Sequence, residues 1–301
     1  MTGDAVARAL SEAIEAATGK AFDVVSVRPV GGGCIHTALD VTGRSASAEQ
    51  RYFAKVNDVA HGAVLEAEAD GLAALASARA LRVPRVVTQG DDGERAWLVM
   101  EWLDLAPLTP ASAAHLGAGL AAQHRVPQAR FGWERDNFIG ASPQRNTRSD
   151  HWPAFWRDHR LHAQLRLAAR NRLPSRMIDR GERLAADCHE LLRGHEAAKS
   201  LLHGDLWSGN AAALSGSQSA VFDPAVYVGD PETDIAMTEL FGGFPADFLA
   251  AYRASWPLLA GYTVRRDLYN LYHVLNHANL FAGGYVRQAE QSIERLLAEI
   301  A

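Results

Sequence analysis

Apolar residues recur at helical spacing over residues 5–17, and Gly19 stands where such a helix would stop. The period then changes to two. Phe22 to Val30 alternates into Gly31, Gly32 and Gly33, and a second alternating run follows from Cys34 to Val41, so the three glycines sit at a strand-turn-strand tip. A third strand, Tyr52 to Asn57, carries Lys55, and Leu65 to Arg79 returns to a helical pattern. Arg85 to Thr88 and Ala96 to Trp102 read as two more strands joined by the turn Gly90-Asp91-Asp92-Gly93. Beyond Leu103 the chain changes to long Ala-Leu-Arg helices over Ala111 to Gln123, His151 to Arg170 and Ser175 to Arg193, with short apolar strands at Ser200 to Leu202 and Ala220 to Phe222. The pattern predicts an α+β molecule of two lobes: a small β-rich lobe over 1–103, a proline-containing linker over 104–110, and a larger, mainly helical lobe over 111–301.

Composition narrows what such a molecule does. A chain of 301 residues with 48% hydrophobic and 22% charged positions can bury a real core. A net charge of −5 and a pI near 6.2 give no general footprint for nucleic acid or an anionic membrane. No apolar run reaches the ~18 residues of a membrane span. Two cysteines, Cys34 and Cys188, are too few for a disulfide framework, and the opening stretch is acidic and Ala-rich rather than basic and then apolar. A cytoplasmic protein that binds neither nucleic acid nor membrane is therefore expected, as a monomer or homodimer. Of its 30 basic residues only Lys20, Lys55 and Lys199 are lysines, which makes each of them worth a question.

The chemistry is concentrated in His203-Gly204-Asp205-Leu206-Trp207-Ser208-Gly209-Asn210. Phosphoryl transfer needs a carboxylate at the attacking hydroxyl, oxygen ligands for Mg²⁺, and cations or amides along the phosphates of ATP. Asp205 and Asn210 stand five residues apart, the spacing of a kinase catalytic loop in which the aspartate takes the hydroxyl proton and the asparagine holds metal. Asp223, thirteen residues further on at the end of an apolar strand, is where a second metal ligand belongs. Lys55, mid-strand, is the candidate phosphate cation, with Glu68 its ion-pair partner and Glu66 the rival; the two glutamates cannot share one helix face. Gly31, Gly32 and Gly33 could bring backbone amides to the phosphates, or could be a plain hairpin turn.

These motifs resemble the fructosamine kinase (ketosamine-3-kinase) family, relatives of the aminoglycoside and choline kinases with a bilobal protein-kinase-like fold. The likeness runs through Gly-Gly-Gly-Cys-Ile (31–35), Phe-Ala-Lys-Val-Asn (53–57), Glu-Ala-Asp-Gly-Leu (68–72), Phe-Gly-Trp with Asp-Asn-Phe-Ile-Gly (131–140), the catalytic loop (203–210), Phe-Asp-Pro-Ala (222–225) and Leu-Phe-Gly-Gly-Phe (240–244). Trp207 is the most discriminating letter, and its ring either packs on a sugar or braces the loop. The resemblance implies that Met100, Glu101 and Leu103 line the adenine site, and that His203 and Asp234 brace the catalytic loop. It places substrate contacts in the helical lobe at Asn137, Gln144, Asn146, Trp152 and His277, although His273 and His277 could equally be packed helix residues. Cys34 is either a redox-sensitive thiol or a reduced thiol in a turn.

What the resemblance implies is ATP-dependent phosphorylation of the C3 hydroxyl of a ketosamine, after which the adduct decomposes and frees the amine. Only ten residues separate Asp223 from Asp234, too few for the activation segment of a protein kinase. Three other readings stay in view: a kinase for an aminoglycoside or amino alcohol, a non-catalytic nucleotide-binding module, and a metal-dependent hydrolase built on His203, Asp205, Asp223 and Asp230.

Overall fold

The computed structural model describes residues 3–31, 35–46 and 48–300. In the first lobe the strands β1 (Asp23–Pro29), β2 (Thr37–Ser45), β3 (Ala48–Asp58), β4 (Val86–Asp91) and β5 (Arg95–Glu101) form an antiparallel sheet in the order β1-β2-β3-β5-β4. Strand alternation gives the sheet two unlike faces. Leu39, Val41, Tyr52, Ala54, Val56, Trp97 and Val99 pack against Leu10 and Ile14 of α1 (Gly3–Thr18), which lie one turn apart on its apolar side. The other face, with Phe53, Leu98 and Met100, packs on Leu65 and Leu72 of α2 (Gly62–Ser77). Because residues of β3 alternate, Lys55 shares this second face with Phe53. Gly32, Gly33 and Cys34 lie outside the described residues, so the expectations placed on them stay with the sequence.

The second lobe begins with α3 (Pro110–His124). Thr109 and Ser112 exchange side-chain and backbone hydrogen bonds at its start, and Pro110 occupies the first turn, where a missing amide costs nothing. A short hairpin follows, β6 (Asn137–Ile139) with β7 (Ser142–Gln144), and then the helices α4 (Trp152–Trp156), α5 (His162–Arg170) and α6 (Ser175–Leu191). Strands β8 (Ser200–Leu202), β9 (Ala211–Ala213), β10 (Ser219–Val221) and β11 (Tyr227–Gly229) pair as β8 with β11 and β9 with β10. The chain closes with α7 (Glu232–Leu240), α8 (Ala246–Ser255), α9 (Tyr262–Phe281) and α10 (Gly284–Ile300). Among the described residues no helix is long and apolar enough to cross a membrane.

Two features of this lobe set up the site. The single helix expected over 151–170 is interrupted at Arg157–Leu161 by a π turn, whose wider ring rotates Arg160 fully inward. The core that α2 enters also takes in Leu116 and Leu120 of α3 together with Leu201, Leu206, Val221 and Val226. The lobes thus share one hydrophobic interior, and the connector is tied down as well: Ala106 pairs with Ala213 of β9.

Candidate active site

The catalytic loop leaves β8 and is held by backbone contacts. Asp234, in the first turn of α7, accepts the amides of His203 at 2.8 Å and Gly204 at 2.9 Å. A buried carboxylate with several donors is stabilised in its charged form. Burial opposes that charge, but His124, His203 and the Gly204 amide outweigh it and hold Asp234 below the ordinary carboxylate range. Gly204 adopts φ +82°, and a Cβ there would strike the carbonyl of Ala225, so only glycine lets the loop lie against the backbone that leads into β11. His203 is fully buried and neutral by desolvation; its Nε2 contacts the Phe222 carbonyl at 3.0 Å, and its Nδ1 accepts the Asp205 amide at 3.3 Å. His203 and Asp234 therefore sit where a loop brace must sit.

Asp205 and Asn210 of the catalytic loop, Asp223 after β10 and Lys55 of β3 converge from three separate segments. The Asn210 amide donates to the Asp205 carbonyl at 2.9 Å and to its Oδ2 at 3.3 Å, which leaves the Asn210 Oδ1 without a protein donor among the described residues. Burial, reinforced by Asp223 and relieved in part by Asn210, pushes the Asp205 carboxyl up to about 7. Asp223 has φ +57°, a backbone state uncommon outside glycine and often found at functional positions. Lys55 lies 2.7 Å from Glu68 and 2.6 Å from Asp223. Burial disfavours its charge, yet the two carboxylates hold its pKa above the usual value. Glu68 is pushed up to about 7 by burial, with Lys55 pulling the other way. Two carboxylates face one ammonium, so the pocket is short of positive charge. An Asn carbonyl oxygen beside a carboxylate is a donor set suited to a hard cation such as Mg²⁺.

The rivalry between Glu68 and Glu66 is resolved by helix phase. Glu68 faces the sheet, whereas Glu66 and Asp70 point away from it and meet Arg135 of the second lobe at 3.3 Å and 2.7 Å. Met100 is buried in β5, and the Glu101 amide bonds to the Arg85 carbonyl at 3.0 Å, while the Glu101 side chain pairs with Arg82 at 2.7 Å. Leu103 lies just past the strand and is half-buried. Gly31 is exposed, with open space where a Cβ would go.

Four residues expected at the substrate are elsewhere engaged. Asn137, Gln144, Asn146 and Trp152 are all no more than 4% exposed. Asn137 donates to the Val226 carbonyl at 2.7 Å, Gln144 to Asn137 at 2.8 Å and to the Ala225 carbonyl at 3.0 Å, and Asn146 to Asn137 at 2.7 Å. Arg160 closes the network on Asn146 at 2.9 Å, its guanidinium lying 3.9 Å from the Tyr227 ring centre. Trp152 donates its indole N–H to Tyr269 at 3.0 Å. These side chains support the backbone just after Asp223 from behind, because their polar groups are already used. Polarity in the sequence was the correct signal; which side of the strand it served was not visible there.

The exposed Trp207 and the half-buried His277, by contrast, are bridged by Phe241. Trp207 is 39% exposed, and its ring lies over Gly209, where a Cβ would collide with it. The ring meets Phe241 edge-on at 6.3 Å; Phe241 meets His277 at 5.1 Å, and His277 meets Tyr285 at 4.9 Å. Phe241, 41% exposed, was not singled out in the sequence, and neither were Arg160 and His36. The hydrolase arrangement does not assemble. His203 has both ring nitrogens engaged by protein, and Asp230 is held by His195 at 2.5 Å and Tyr269 at 2.6 Å. The neighbouring cluster of His195, Asp230 and Glu232 is likewise closed to a metal, since Arg265 grips Glu232 at 2.6 Å and 2.8 Å.

Comparison with known proteins agrees with this geometry. The sequence profile described as fructosamine kinase matches residues 6–299. A protein of Synechocystis described as a probable ketoamine kinase is 41% identical over 96% of this chain and 96% of its own. The chloroplastic protein-ribulosamine 3-kinase of Arabidopsis thaliana is 38% identical over 93% of this chain and 85% of its own. A crystal structure of a candidate fructosamine-3-kinase from Thermobifida fusca superposes with a TM-score of 0.84 at 30% identity, covering 99% of this chain and 100% of that one. A kinase-type loop, a lysine paired to a helix glutamate, and a profile match that spans both lobes lead to one assignment: the chain belongs to the fructosamine kinase family.

Proposed function

We propose that this protein is an ATP-dependent ketosamine 3-kinase, with nucleotide bound by the lobe over 1–103 and the acceptor by the lobe over 111–301. The observation that carries the reading is the convergence of Asp205, Asn210, Asp223 and Lys55, in a chain whose relatives are named ketoamine and ribulosamine kinases. Asp205 takes the proton of the C3 hydroxyl as its oxygen attacks the γ-phosphorus. The bond from that phosphorus to the β,γ-bridging oxygen breaks, and ADP leaves. A carboxyl poised near neutrality is suited to receive that proton. Asn210 keeps Asp205 aimed by holding both its carbonyl and its carboxylate. Lys55 turns from Asp223 towards the phosphates once nucleotide is present, while Glu68 keeps the ammonium in place. Asn210 and Asp223 would hold Mg²⁺, which supplies positive charge against the phosphate oxygens.

The exposed rings of Trp207 and Phe241 and the half-buried His277 are assigned to the ketosamine, with sugar packing on the indole two residues beyond Asp205. Adenine is assigned to the backbone from Glu101 to Leu103. The test is incubation with ATP, Mg²⁺ and a panel of ribulosamines, fructosamines and aminoglycosides, followed by ADP release and isolation of the phosphorylated product. Ketosamine-dependent ADP release with phosphate on the C3 oxygen is expected. Turnover confined to aminoglycosides would sink the ketosamine assignment.

A further inference from the structure

His36 is the second described residue after the three glycines, and its neutral ring has only one pattern of protons. The Asn57 Oδ1 accepts the Asp58 amide at 2.8 Å, so its NH₂ group must point the other way. There it donates to the Ile35 carbonyl at 2.8 Å and reaches the His36 Nδ1 at 2.9 Å. Turning the Asn57 amide over would set oxygen against oxygen at Ile35 and donor against donor at Asp58. The His36 Nδ1 is therefore an acceptor, and the neutral ring carries its proton on Nε2. That N–H has no protein acceptor among the described residues.

The register shows where the ring stands. Thr37 pairs with Val56 and Ala38 with Lys55, so the next pair outward is His36 with Asn57. Alternation puts both on the same face of the sheet as Lys55, towards α2 and Asp223. Partial burial and the nearby Lys55 ammonium keep the imidazole neutral, with Asp223 acting weakly in the opposite sense. A neutral ring whose donor meets no acceptor among the described residues, on the phosphate side of the sheet and shortly after three glycines in sequence, has no use in packing for that proton.

We propose that His36 is a phosphate-positioning residue whose Nε2–H donates to the phosphate chain of ATP, with Asn57 fixing the tautomer that makes the donation possible. The proposal rests on the nucleotide site assigned above. Without a charge of its own, this donor orients a phosphate oxygen while adding nothing to the repulsion felt by a metal ion. It extends the contacts of Lys55 along the same sheet face to the start of β2.

The test is calorimetric binding of AMP-PNP with Mg²⁺, and of adenosine, to the wild type, His36→Ala and His36→Gln, with the ¹⁵N shifts of the His36 ring recorded in the wild type. His36→Ala is expected to weaken AMP-PNP roughly ten- to hundredfold, the range for one hydrogen bond to a charged acceptor, and to leave adenosine unchanged. His36→Gln, whose amide N–H can occupy the place of Nε2–H, should recover most of the loss. The ring should show the Nε2–H tautomer, and its Nε2 resonance should move with AMP-PNP but not with adenosine. Equal weakening of both ligands by His36→Ala, a glutamine variant no better than alanine, or an Nδ1–H tautomer would each overturn the proposal while leaving the kinase reading intact. A wild type that binds no AMP-PNP would overturn the nucleotide site itself and this proposal with it.

Discussion

Lys55 and Asp223, 168 residues apart in sequence, are joined at 2.6 Å, so the ammonium of the small lobe is held by the large-lobe carboxylate proposed above as a metal ligand. Arginine is not an equivalent cation here: its planar fork is larger, and the Lys55 side chain is only 10% exposed. Lys55→Arg should lower kcat/KM for ATP by roughly two orders of magnitude, about 2.7 kcal/mol of lost transition-state stabilisation. Steady-state kinetics at saturating ketosamine reads this directly, and a variant within threefold of the wild type would remove Lys55 from the phosphate site.

Asp205 predicts both a pH limb and a gain in stability on mutation. Its carboxyl must be ionised to take a proton, so kcat/KM should rise with pH through a limb near 7 and flatten above it. The folded pKa lies above the unfolded one, so the folded state binds the proton more tightly. The associated stability is complete below the unfolded value and is lost as pH rises through about 7. Asp205→Asn should therefore abolish turnover and raise the Tm at pH 8 but not at pH 4. Thermal melts at the two pH values separate the outcomes; an equal shift at both would contradict the linkage.

The exposed indole of Trp207, two residues beyond Asp205, lies over Gly209 and meets Phe241 of the large lobe. Trp207→Ala should raise the KM for ketosamine by about tenfold, the worth of a lost aromatic contact, and leave the KM for ATP within twofold. A matched rise in both would mean that the ring only braces the loop.

The asparagine–glutamine–arginine network behind Asp223 is a matter of stability before it is one of catalysis. Asn137→Ala leaves the Val226 carbonyl and a side-chain N–H of Gln144 without their partner, and should cost about 1–3 kcal/mol. Chemical denaturation measures the loss. If stability is unchanged, the four buried polar residues are not acting as the support described.

The sequence was informative wherever chemistry and spacing coincide. Asp205, Asn210 and Asp223 lie on one short stretch, and Lys55 announces itself in a chain that otherwise uses arginine. Strand and helix periods reported the small lobe to within a few residues, because each of its faces is apolar at a regular interval. Two kinds of information were not local. Whether Asn137 or Gln144 points to a cleft or to the back of a strand depends on a partner some 80 residues away, at Ala225 and Val226. The π turn at Arg157–Leu161 adds a residue to a helix without altering its composition, so the inward turn of Arg160 left no trace in the pattern. The pairing of Lys55 with Glu68, by contrast, could be narrowed to two glutamates, and the choice fell to which side of α2 meets the second lobe.

Gly71 gives the arrangement of α2 a wider meaning. It faces Pro224 so closely that a Cβ would lie 3.1 Å from that ring, so the helix that carries Glu68 rests on the residue next to Asp223. A displacement of one drags the other. The contact ties the helix position of Glu68 to the backbone around Asp223, and both rest on one hydrophobic interior that includes Leu65, Leu72, Val221 and Val226.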